Sequence, residues 1–97
     1  MVAFDLAQYQ QLFKQMGYAD DYGAPLLLRT QLLKAVKAEI QKKNWTQQEA
    51  AQKLGVTQPR ISEIYSLKID KFTVELLVKF LFRLGREVIF DIRSARS

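Results

Sequence analysis

Along most of the chain, apolar residues return every three or four positions, the period of a helix with one buried face. Leu6, Tyr9, Phe13 and Met16 mark a first run over residues 4–16, with Asp5 placed to cap it and Gly17 to stop it. The stretch YADDYGAP (18–25) reads as a loop by its Asp, Gly and Pro content. From Leu26 to about Lys43 a second helix is expected. Leu28, Leu32, Ala35, Val36 and Ile40 form its apolar stripe, with Lys34, Lys37, Lys42 and Lys43 outside. In NWTQQEAAQKLG, Thr46 and Glu49 have the spacing of a capping box, where each side chain satisfies the other residue's backbone N–H. The short helix they open ends at Gly55; Ala50, Ala51 and Leu54 are its inner side, and Trp45 reads as a core plug before it.

The corner LGVTQPRISEI (54–64) turns the chain sharply. Gly55 is expected in the left-handed conformation, where a Cβ would be strained, with Val56 packed under the bend. Thr57 can cap a second short helix reaching about Ser66. Pro59 is tolerable in its first turn, although a proline resists helical geometry in the residue before it. Ile61 and Ile64 then point inward, leaving Gln58, Pro59, Ser62, Glu63 and Ser66 outside, with Arg60 and Tyr65 on the flanks.

SLKIDK (66–71) reads as a charged turn, and Thr73 is placed to cap a helix running to about Leu84, with Gly85 as its terminator. That helix is apolar on most sides: Val74, Leu77, Val78 and Leu81 form one stripe, Leu76, Phe80 and Leu84 another. Such a helix must be covered on most sides. Residues 87–92 alternate as a strand, Val88, Phe90 and Ile92 against Ile89 and Asp91, with no other strand-like run to pair with. A lone strand leaves its backbone groups unpaired. The expected solution is an isologous dimer built on Leu76, Phe80, Leu84, Val88, Phe90 and Ile92, the alternative being a partner protein that takes the edge by strand addition. The tail RSARS should be loose.

With 97 residues the chain is one small domain, and it contains neither cysteine nor histidine. This removes disulfides, thiolate nucleophiles, the usual zinc ligands and the commonest neutral-pH base. No enzyme, metal or cofactor is expected. No run approaches the ~20 apolar residues that span a bilayer, and the N-terminus lacks a signal-peptide layout, so a cytoplasmic protein without membrane contact is expected. The net charge of +5 is uneven: residues 1–24 carry −2 and residues 25–97 carry +7. A basic body suits a polyanion, or is simply a soluble surface.

Two short capped helices around a glycine turn make the helix-turn-helix unit, whose second helix enters the DNA major groove. Glutamine can bridge adenine N6 and N7, arginine reaches guanine or phosphate, and glutamate can accept from cytosine N4. The plain alternative is one more corner of a helical bundle.

The segment TQQEAAQKLGVTQPRISEIYSLKIDKFTVELLVKFLFRLGREVIFDI resembles the Cro/repressor-like (XRE) helix-turn-helix family, and within it the compact antitoxin branch of HigA type. The resemblance covers about residues 26–92 and is most specific over Thr46–Ser66. It implies a mainly all-α, lambda-repressor-like five-helix domain over residues 25–97, dimeric through its C-terminal strand, on a palindromic operator in double-stranded DNA. It implies base-facing roles for Gln58, Pro59 and Glu63, with Ser62 beside them. Gln47, Thr57, Arg60 and Lys68 would meet the DNA backbone, with Tyr65 at that border. Pro59 departs from relatives that place a hydrogen-bonding side chain there, so shape or a thymine methyl would be read instead. Glu63 either accepts from a base or repels wrong sites. The antitoxin branch further implies repression of its own operon and capture of a HigB/RelE-like mRNA-cleaving toxin, for which the acidic segment 1–24 is a candidate sleeve. A stand-alone prophage-type repressor would share the DNA site without the toxin.

Overall fold

The structure, a computed structural model, describes residues 23–92 together with Gln15 and Gly17. The helix expected over residues 4–16 otherwise lies outside the described residues. Among the described residues 23–92 there are four α-helices, α1 (Gly23–Lys42), α2 (Gln47–Leu54), α3 (Gln58–Tyr65) and α4 (Val74–Arg83), with a 3₁₀ turn at Ile69–Lys71. No strand occurs among the described residues. The domain is therefore all-α.

Helix α1 begins at Gly23, three residues before the expected start, so Pro25 sits within its first turn. A proline is harmless there because first-turn N–H groups have no acceptor within the helix. This helix packs against α3, the 3₁₀ turn and α4. Three neighbours require a wider apolar face than the predicted stripe. Leu33, outside that stripe, is fully buried with Val36 and Ile40, and Leu26 and Leu27 are buried further up. The core closes with Ala50, Ala51 and Leu54 of α2, Ile61 and Ile64 of α3, Phe72, and Leu77, Phe80, Leu81 and Leu84.

Helix α2 starts at the expected capping box. The Thr46 hydroxyl accepts from the Glu49 backbone N–H at 3.1 Å, and the Glu49 carboxylate accepts from the Thr46 N–H at 3.2 Å. It ends at Gly55, whose φ of 69° is left-handed. The Val56 and Gly55 amides then donate back to the Ala51 and Gln52 carbonyls, which closes the helix end within two residues. Helix α3 begins at Gln58, and Thr57 caps it differently from expectation. Its hydroxyl makes no cap bond. One usual donor, the second helical residue, is Pro59, which has no N–H; the Arg60 amide is taken by the Thr57 carbonyl instead. Thr73 caps α4 as expected, accepting from the Leu76 amide at 3.1 Å.

Two expectations about the C-terminal part are corrected. Phe80 and Leu84, expected on a dimer face, are sealed in the chain's own core, 0% and 3% exposed. The reason is that α1 and Phe72 cover α4 from the side that a second subunit was expected to cover; the Phe72 and Phe80 rings meet edge-on at 6.4 Å. Leu76 is only half-buried and packs against the same core. Residues 87–92, expected as a strand, form none among the described residues, because alternation alone does not supply the ladder that a strand requires. Val88 packs against the core, while Phe82, Ile89, Phe90 and Ile92 stay exposed.

Candidate nucleic-acid interface

The buried isoleucines fix which side of α3 faces out. Ile61 and Ile64 are completely buried, so at ~100° per residue the opposite face carries Gln58, Pro59, Ser62 and Ser66, all exposed, and Glu63, half-buried. These side chains line one open surface groove of about 790 Å³, joined by Gln47 from the start of α2 and by Lys68 and Lys71 from the following turn. Gln47 and Gln58 are the first helical residues of α2 and α3, so both helices present their N-terminal ends to the same groove. The result is a hydrogen-bonding strip bordered by two lysines.

Six of the nine residues expected to meet DNA are brought together here: Gln47, Gln58, Pro59, Ser62, Glu63 and Lys68. The other three lie differently. Thr57 is exposed beside the groove, its hydroxyl unspent in the helix cap. Arg60 does not line the groove. Its guanidinium lies 4.4 Å from the centre of the Phe72 ring, and its Nη1 is 3.7 Å from the Glu63 carboxylate. Tyr65 is half-buried on the α1 side, with the Lys37 ammonium 5.8 Å from its ring centre.

Ser66 and Lys71 also line the groove, beyond the expected set. The charge-rich stretch SLKIDK contains both, but only the fold shows that the 3₁₀ turn returns Lys71 beside α3. The helix C-termini are held by cations from flanking helices. Lys37 Nζ donates to the Tyr65 carbonyl at 3.0 Å, and Arg83 donates to the carbonyl of Leu54. A cation at a helix C-terminus is favoured by the helix dipole. No group of His, Cys, Asp or Glu that could hold a metal is found among the described residues.

A family model described as a helix-turn-helix domain matches residues 13–93. The chain belongs to that family. A solved structure assigned to the XRE family of transcriptional regulators is similar at 30% identity, with a TM-score of 0.69, over 75% of this chain and 85% of that one. No curated protein matches. In helix-turn-helix terms α2 is the first helix of the motif and α3 the second, the one that such motifs lay in the DNA major groove. Among the described residues, no helix is long and apolar enough to cross a membrane.

Proposed function

We propose that this helix-turn-helix protein is a cytoplasmic, sequence-specific transcriptional regulator that binds a palindromic operator as a dimer. The observation that carries the reading is the groove itself. Gln58, Pro59, Ser62 and Glu63 are turned outward together at the end of α3 that would enter a major groove, while Gln47, Lys68 and Lys71 stand where a phosphate backbone would run. Dimer formation is supported by the apolar C-terminal edge. Phe82, Ile89, Phe90 and Ile92 are exposed, and among the described residues no strand is formed at 87–92 despite its strand-like alternation. A second copy pairing there would satisfy both, and would set two recognition helices about one DNA turn (~34 Å) apart.

Binding to an operator duplex should fall by a factor of ~10³–10⁵ between 50 and 200 mM salt if ~6–10 phosphates are neutralised. Salt-insensitive binding, or equal affinity for operator and random duplex, would contradict the proposal.

Within this reading the chain is an antitoxin that represses its own operon and neutralises a HigB/RelE-like mRNA-cleaving toxin. The support is the resemblance over residues 26–92, together with the acidic balance of residues 1–24, which complements a basic nuclease. Co-expression with the small protein encoded beside it should yield a stable complex and suppress mRNA cleavage. A chain that represses normally with no such neighbour is instead a stand-alone prophage-type repressor.

A further inference from the structure

We infer that Glu63 selects a cytosine in the operator and that Arg60 is its positioning residue rather than a phosphate contact. This inference rests on the proposed DNA-binding reading and names the specificity of that same site. Glu63 lines the groove, yet a carboxylate there faces a polyanion and would oppose binding unless it met hydrogen-bond donors. In the major groove the donors on base edges are the amino groups of cytosine and adenine. Adenine sets its N7 acceptor beside that amino group, which disfavours an acceptor-only carboxylate, whereas Gln58, with both a donor and an acceptor, matches adenine. Cytosine is left as the partner for Glu63.

Arg60 has the geometry of a brace. Phe72 is 2% exposed and anchored edge-on against Phe80, so the ring beneath the guanidinium is a fixed part of the core. Arg60 stacks on it at 4.4 Å and reaches Glu63 one turn along at 3.7 Å. Both side chains are mostly covered, 29% and 24% exposed. A guanidinium held flat against an aromatic ring, with its charge already opposed by a neighbouring carboxylate, is poorly placed to leave for a phosphate. It is well placed to screen Glu63 from the DNA charge and limit its rotamers.

The test selects the full-length chain against a pool of randomised duplexes. The unmodified chain should enrich cytosine at one position of each half-site. Glu63→Gln, nearly isosteric, should lose that preference by roughly 5- to 100-fold while keeping the others. Arg60→Lys keeps the positive charge but not the flat stack, and Arg60→Gln removes the charge while keeping an apolar stem on Phe72. Both should relax the preference at the same cytosine and leave the salt dependence of binding unchanged. The inference is overturned if Arg60→Gln lowers the salt slope by about one and weakens every sequence alike. It is also overturned if Glu63→Gln leaves base preferences intact, or if sequences are enriched with no cytosine that depends on Glu63. Enrichment of no sequence at all would instead remove the DNA-binding reading beneath it.

Discussion

The Lys37 ammonium donates to the backbone carbonyl of Tyr65 at 3.0 Å, tying the middle of α1 to the end of the recognition helix. Arg83 makes the equivalent tie from α4 to Leu54 at the end of α2. The two helices of the motif are thus set in angle by cations from helices on either side, in addition to the core beneath them. Lys37→Met should cost about 1 kcal/mol in urea unfolding, the usual size of a partly exposed bond to a helix end. It should also weaken operator binding without altering the salt slope, because Lys37 serves the fold and not a phosphate. A reduced salt slope in Lys37→Met would place this lysine on the DNA.

Gly55 is constrained twice. Its φ of 69° disfavours any side chain, and an added Cβ would lie 3.3 Å from Arg83 Nη1. Gly55→Ala should destabilise by ~1–2 kcal/mol from the left-handed backbone alone, with more if Arg83 is displaced from Leu54. Chemical denaturation measures this, and Gly55→Ala combined with Arg83→Ala should show non-additive losses.

These contacts also show what could be read from the chain before its fold. The capping box, the left-handed Gly55 and the inward Ile61 and Ile64 are local, and each was legible because neighbouring residues enforce it. Gln58, Pro59, Ser62, Glu63 and the outward Ser66 followed from that single helical phase, whereas Gln47 and Lys68 came only from the family resemblance. The position of Arg60 was not legible because its contact with Phe72 joins positions twelve apart through a turn with no sequence period. Lys37 looked like a solvated lysine for the same reason. The second apolar stripe of α4 was real, but pattern alone could not distinguish burial against α1 from burial against a second subunit. Residues 87–92 alternate as a strand does, but alternation says nothing of the ladder partner that a strand needs.

Glu39 adds a pH dependence. Burial acts to raise its pKa, but hydrogen bonds from Arg86 and Lys42 and their charges outweigh this, and the carboxyl is held below its ordinary value. Arg86 Nε and Lys42 Nζ lie 2.9 and 3.3 Å from its oxygen. A lowered folded-state pKa gives stability that is fully present above the unfolded value, ~4.3, and is lost as pH falls through the folded value. Glu39→Gln should therefore melt below the unmodified chain at pH 7, with the gap shrinking as pH drops below about 4. A gap that holds constant across this range would show that the loss is one of packing alone.

The apolar edge carries the prediction for assembly. Phe90→Asp and Ile92→Asp place charges on residues that are exposed in the single chain, so the fold should survive with melting changed little. Sedimentation should shift from dimer toward monomer, and operator affinity should fall with it. Variants that stay dimeric would move the interface elsewhere.

The most direct measurement of the central claim is amide chemical-shift mapping of the isotope-labelled chain during titration with a selected duplex. The account predicts the largest changes at Gln47, Thr57, Gln58, Ser62, Glu63, Lys68 and Lys71, around the groove. Changes concentrated instead at residues 86–92 or along the outer side of α1, with the α3 amides unmoved, would contradict it.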